Sequence, residues 1–384
     1  MSKKEKVLYT IILITFIVLS TIVSLKHEYW ADEANTWLIV REVSIIDLFK
    51  EHMSLNGHPF VFIFIIKIFQ LLGFKYNYYR IISLLFSSLG VAFFLFKSTY
   101  KWYVKILIPF TFFIFYQYTV ITRGYCLLLL LFSLLASIWE DKDNHYILFT
   151  FLLFILTNLE AYTFLIAGSI YLLELIKYFK DIKINKQNKK KTICLIILFL
   201  SFVFTTIYMF PRPKNVTQYG AIHLVLSDAF IYSETMPYIL SGVFTLLIIG
   251  FIIYLYLKQK KKKELIELGI LLTPMYLFFS FFYGNYWHAG IIFVLFLFSS
   301  WIHEINKNKA FNIFIVLVCF VQIFWSIKSS INDYKYIYSP SKQVADYIKK
   351  YNYQELKIYA DKYITVAINP YFEKNIFDNC IIRN

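Results

Sequence analysis

Two acidic side chains stand next to each other at Asp32 and Glu33, flanked by Tyr29-Trp30 on one side and Trp37 on the other. A solvated carboxylate can take a proton from an attacking hydroxyl, a role typically worth ~10²–10⁴-fold in rate. An adjacent pair can also ligate a divalent cation such as Mg or Mn. Downstream, Asn56-Gly57 makes a turn and Pro59 suits the first position of a helix. The unpaired N–H groups of that helix start, with His58 beside them, form a phosphate site. Arg123-Gly124-Tyr125 and Glu160-Ala161-Tyr162 each interrupt an apolar hairpin at its tip, and His288 opens a further apolar segment. Arg123 and His288 can bind phosphate, whereas Glu160 can bind a sugar hydroxyl or orient Arg123. Each feature also has a plain alternative: interfacial acids in an aromatic belt, a simple helix start, an ion pair capping two hairpins, an interfacial histidine beside aromatics.

The elements that position these residues follow from composition. The 384 residues are 59% hydrophobic and 21% aromatic, with only 16% charged, against about 25% charged in soluble domains. Apolar runs lie near 7–25, 59–73, 81–96, 104–120, 125–139, 146–158, 161–176, 193–210, 236–257, 265–283, 288–303 and 311–328. Runs of this kind form helices across a ~30 Å hydrocarbon core, because the bilayer offers the backbone no other hydrogen-bond partner. The chain therefore reads as an all-α polytopic membrane protein with about 11–13 transmembrane helices over residues 1–330 and a first external loop at 26–58.

The net charge of +15 comes from lysines clustered in short loops, seven between Lys177 and Lys191 and five between Lys258 and Lys263. That pattern sets membrane orientation and is not a nucleic-acid footprint. With Lys3, Lys4 and Lys6 in the cytoplasm, residues 26–58 fall outside, and Arg123, Glu160 and His288 reach the same face. Twelve crossings cannot join a cytoplasmic N-terminus to an external tail, however. The conflict falls between 59 and 105, where Lys97, Lys101 and Lys105 also belong inside. Val7 to Leu25 is too long for a signal-peptide core and reads as a retained first helix.

Residues 34–50 mix Trp37, Leu38 and Phe49 with Arg41, Glu42 and Asp47, the pattern of an amphipathic helix in the interface plane. Beyond 331 the chain turns polar. Ser339-Pro340-Ser341 predicts a helix start, Leu356 to Ala360 a strand, and Asp361 to Ile368 a helix. Together they describe a small αβ extracytoplasmic appendage over 331–384, too small to bury much of a core of its own. Cys126, Cys194, Cys319 and Cys380 show neither metal-ligand spacing nor a disulfide framework.

Asp32-Glu33-Ala34 followed by Gly57-His58-Pro59-Phe60 resembles the first external loop of the GT-C glycosyltransferases. Within that superfamily the motifs resemble the family 39 and lipopolysaccharide-core types, including protein mannosyltransferases and aminoarabinose transferases. Arg123-Gly124-Tyr125 is similar to their Arg-x-Tyr motif, and the Glu160-Ala161-Tyr162 hairpin extends the likeness across residues 7–180. The resemblance implies a plasma-membrane enzyme that takes a sugar from a polyprenyl-phosphate carrier at the outer face and passes it to a glycan, lipid or wall-polymer acceptor. It assigns Asp32 as the catalytic base of an inverting displacement, with Glu33 beside it. His58 would lie near the lipid phosphate, and Arg123 would neutralise that phosphate as it leaves. Tyr125, Glu160, Tyr162 and His288 complete the expected substrate site. A transporter of lipid-linked saccharides and a polysaccharide polymerase are the alternatives. The first calls for repeated halves and midplane polar groups, the second for a large external loop in the second half.

Overall fold

Ser2 starts the first helix: its hydroxyl accepts the Glu5 N–H, and the Glu5 carboxylate accepts the Ser2 N–H in return. This reciprocal cap opens α1 (Lys3–Lys26) in a computed structural model that describes residues 1–52, 58–183, 189–209, 226–231, 238–281 and 285–379. The Asn56-Gly57 turn, Cys380 and most of the 211–235 loop lie outside the described residues. Helices α2 (Ala31–Glu42), α3 (Phe60–Leu71) and α4 (Arg80–Lys97) follow. After a bent stretch come α5 (Leu128–Ile138), α6 (Tyr146–Thr157), α7 (Ala161–Lys183) and α8 (Lys189–Met209). Helices α9 (Tyr238–Lys258), α10 (Lys262–Phe281), α11 (Tyr286–Ile302) and α12 (Lys309–Lys335) complete the bundle.

Among the described residues, six helices are long and apolar enough to cross a membrane, and a bent pair makes a seventh. The pair, Trp102–Phe110 and Phe112–Val120, is broken at 41°. Pro109 removes a backbone donor there, and Thr111 is extended. The second half of the pair is a π-helix, a rare form that recurs at functional sites. Isoleucine, leucine and phenylalanine cover the outer faces, as Ile11, Ile14 and Val18 do on α1. Such faces need lipid rather than water around them.

The lysine-bearing turns gather at one end of the bundle. Lys105 donates to Leu95 O at 3.1 Å and its ammonium lies 5.0 Å from the Tyr9 ring centroid. Asn306 bonds Thr99 at 2.7 Å, and Lys142 and Lys177 pair with Glu174 and Asp143 at 2.8 Å each. Lys97, Lys101 and Lys105 thus share the end of the N-terminus. The path between 59 and 105 follows from α3. At 12 residues it is about 18 Å long, no shorter than α6, so the contacts at its two ends decide its path. Val61 N–H bonds Asn158 O at 3.0 Å at its start, and Gln70 bonds Trp37 O at 3.3 Å near its finish. The Tyr76 ring then packs 4.7 Å from Tyr29. Both of its termini are therefore at the Asp32 end, and α4 begins there as well.

Residues 34–50 do not form one interfacial helix. Helix α2 is packed into the protein with Leu38, Ile39 and Val40 buried, and Val43 ends it in an extended conformation. The C-terminal appendage is not αβ either. Helices α13 (Ser341–Lys350) and α14 (Lys362–Ile368) are present, but no strand forms among the described residues. Ile358 and Phe377 make a single isolated bridge. The neighbouring Ala360 N–H and C=O are taken by the Asn379 side chain instead of a partner backbone, so no ladder propagates. A small core of Ala345, Ile348, Ile368, Phe372 and Phe377 holds the appendage together. It rests on the bundle through Arg41, which donates to Phe372 O at 2.5 Å, and Gln343, which donates to Glu28 at 2.7 Å.

Candidate functional site

Asp32 and Glu33 lie in the first turn of α2, where the N-terminal end of the helix dipole favours negative charge. Consecutive helical residues point about 100° apart, so the two carboxylates diverge. The Asp32 side chain is 51% exposed and accepts from Arg123 Nη1 at 2.8 Å. Glu33 is fully buried. Its Oε1 accepts the Thr122 N–H at 2.7 Å, and its Oε2 accepts the Trp30 N–H at 3.2 Å. That division does not suit a Mg or Mn site on the Asp32–Glu33 pair: Glu33 is sealed inside with both oxygens engaged. Among the described residues no group of three or more histidine, cysteine or carboxylate side chains is arranged to hold a metal.

Arg123 links the two halves of the site. It is 8% exposed; burial opposes its charge, but Asp32, Tyr125 and Glu160 hold it firmly protonated. Its Nη2 lies 3.0 Å from His58 Nε2. Arginine can only donate, so this nitrogen of His58 accepts and the proton sits on Nδ1, which donates to Glu160 Oε2 at 2.5 Å. The result is a continuous chain, Asp32–Arg123–His58–Glu160, that runs from an exposed acid to one only 2% exposed. Glu160 orients Arg123 through His58 and makes no direct ion pair with it.

Local structure explains why these side chains meet. Asn158 accepts the Val61 N–H on its backbone and binds Ser201, Thr205 and Tyr208 with its side chain. This ties the start of α3, and so His58, to the turn that carries Glu160. Gly124 is required beside it: a Cβ there would stand 2.5 Å from Glu160 Oε1 and 3.4 Å from Phe62 Cβ. The Arg123 guanidinium lies 5.9 Å from the Tyr125 ring centroid, and that ring meets His288 at 6.0 Å. His288 is buried, with Nδ1 accepting the Asn285 N–H at 3.0 Å and lying 3.1 Å from the Tyr162 hydroxyl. Every residue singled out from the sequence therefore belongs to one connected cluster. They differ in access: Asp32 and His58 are open, whereas Glu33, Tyr125, Glu160, Tyr162 and His288 form its walls.

Behind the cluster lies a network absent from the motif reading. His27 Nδ1 stands 3.1 Å from Asp333 Oδ2, and its Nε2 stands 3.4 Å from Glu33 Oε2. Both ring nitrogens face carboxylate oxygens, so both carry protons and the ring is an imidazolium. Burial pulls its pKa down, but hydrogen bonding and attraction from Asp333 and Glu33 win and raise it to about 9. Tyr116 donates to Asp333 from the π-helical run at 3.0 Å, and Tyr338 packs 4.5 Å from the imidazole. The available signal was a histidine two residues after the first apolar run and an aspartate five residues after the last. Helix α12 continues to Lys335, which carries Asp333 into the bundle and not into the tail.

No family model, curated protein or solved structure matches the chain.

Proposed function

We propose that the chain is an integral-membrane glycosyltransferase that moves a sugar from a polyprenyl-phosphate carrier to a glycan, lipid or wall-polymer acceptor. The observation that carries this reading is the contact between the exposed Asp32 carboxylate and the buried Arg123 guanidinium. A base for the acceptor and a cation for a phosphate leaving group stand side by side at one end of a bundle with lipid-type outer faces. The motif resemblance to GT-C enzymes points the same way.

In the proposed reaction the acceptor hydroxyl oxygen forms a bond to the sugar anomeric carbon as the bond from that carbon to the phosphate oxygen breaks. The electron pair leaves on the polyprenyl phosphate, which Arg123 stabilises. Asp32 takes the hydroxyl proton, and the configuration inverts. Glu160 and His58 hold the guanidinium in place. Glu33 acts as a brace and not as a second catalytic acid.

Counting the six long helices, the bent pair, the three shorter apolar helices other than α3 and the 20-residue α10 as crossings, and α3 as none, gives eleven. That number joins a cytoplasmic N-terminus to an extracytoplasmic tail and places the lysine-bearing end inside, as the positive-inside rule requires. The site then faces the outside of the plasma membrane. The test is Asp32→Asn in cells lacking the native gene. Sugar transfer to the envelope acceptor should be lost while membrane insertion is kept, since the asparagine oxygen can still accept the Arg123 N–H and His58 keeps the other terminal nitrogen. Near-normal transfer refutes the assignment.

A further inference from the structure

We propose that Asp32 masks Arg123 in the resting protein, and that an arriving phosphate exchanges with the carboxylate at the guanidinium, so that donor binding itself releases the base. The inference rests on the reading of Arg123 as a phosphate ligand and adds an order of events to it.

The argument begins with the donors of Arg123. Its Nη1 is held by Asp32 at 2.8 Å and its Nη2 by His58 at 3.0 Å. A guanidinium carries five N–H groups and binds phosphate best through two parallel ones; here one on each terminal nitrogen is taken and the side chain is only 10% exposed. With so little of the guanidinium open, an arriving phosphate competes with a partner already in place. His58 is anchored from behind by Glu160 at 2.5 Å, and Glu160 is buried against Gly124. Asp32 has no comparable anchor: its side chain is 51% exposed and Arg123 is its ion-pair partner. The exposed carboxylate is therefore the group that leaves, because water solvates it on release while Arg123 stays buried and must remain paired.

The exchange has a chemical consequence. Paired with Arg123, the Asp32 carboxylate has one oxygen occupied by the guanidinium N–H. Released, both of its oxygens are free to accept from an acceptor hydroxyl while the phosphate occupies the guanidinium. Without donor the base stays masked, so activation of an acceptor hydroxyl follows donor binding. Asp32 would then set both the affinity for phosphate and the order of binding.

The test uses the purified full-length protein in detergent and decaprenyl monophosphate as probe, with decaprenol as the phosphate-free control. Asp32→Asn should bind the monophosphate about tenfold more tightly than the native protein, because the competing charge is gone. Arg123→Gln should weaken binding strongly. In the Arg123→Gln background, Asp32→Asn should change affinity less than about twofold, because there is no guanidinium left to compete for. Decaprenol should show none of these differences. Arg123-dependent binding that Asp32→Asn leaves unchanged or weakens overturns the masking while leaving the phosphate site standing. Tightening that persists undiminished without Arg123 is general charge repulsion and also overturns it. Binding indifferent to both residues refutes the phosphate reading, and the masking with it.

Discussion

Replacing His27 by glutamine removes the charge at the centre of the scaffold behind Asp32. The imidazolium is 1% exposed and lies between Glu33 and Asp333, whose side chains are 0% and 2% exposed. A glutamine is neutral and leaves both carboxylates without a counter-charge, although Glu33 keeps the Thr122 and Trp30 N–H groups and Asp333 keeps Tyr116. Removing one partner of a buried ion pair typically costs ~3–5 kcal/mol. The titration gives a similar size: a pKa raised from 6.5 to about 9 is worth about 3 kcal/mol at ~1.36 kcal/mol per pH unit. The sign follows from the direction. The folded state holds this proton more tightly than the unfolded chain, so the stabilisation is complete below about pH 6.5. It is lost as pH rises through about 9. Thermal unfolding of the purified protein in detergent, followed between pH 6 and pH 10, reads both effects. The native protein should lose about 5 °C in melting temperature across that window. His27→Gln should start lower by a similar amount and show a correspondingly smaller fall. Equal melting temperatures at pH 6 with parallel pH profiles would refute the reasoning.

Three further outcomes follow from the same geometry. Gly124→Ala places a methyl 2.5 Å from Glu160 Oε1 and should cost about 1–3 kcal/mol of stability, together with transfer activity; a fully active, equally stable variant contradicts the close approach. Glu160→Gln loses a charge-assisted hydrogen bond worth ~1.5–3 kcal/mol and should slow transfer about 10–100-fold with little change in expression, measured by envelope glycan labelling. Single cysteines at the exposed positions of Lys350 and Lys307 lie at opposite ends of the bundle. An impermeant thiol reagent added to intact cells should modify the first and spare the second, and the reverse pattern inverts the proposed orientation.

The membrane class and the sharing of one end by Asp32, His58, Arg123, Glu160 and His288 were legible in the sequence. Both depend on local properties: apolar runs must become helices where lipid offers no hydrogen bonds, and the lysine clusters in the short loops fix which tips share a face. The αβ appendage was not legible. Strand propensity at Leu356 to Ala360 says nothing about whether a second segment supplies backbone partners, and here the Asn379 side chain takes their place. The path through 59–105 was equally hidden, because an apolar run of borderline length is compatible with crossing or returning. Contacts from α3 to Asn158 and Trp37 decide for returning.

The acidic pair shows the same division. The sequence alone determined that two carboxylates lie at a helix start beside aromatic residues, since neighbours in sequence and turn chemistry are local facts. Only the tertiary structure decided that they do different things. A helix turns about 100° per residue, which sends Asp32 toward solvent and Arg123, and Glu33 inward to Thr122 and His27. Those partners come from positions 91, 89 and 6 residues away, and His27 in turn binds Asp333, 306 residues distant. Burial sets the electrostatics of each carboxylate, and burial is a property of the packed bundle rather than of the residues beside it in the chain.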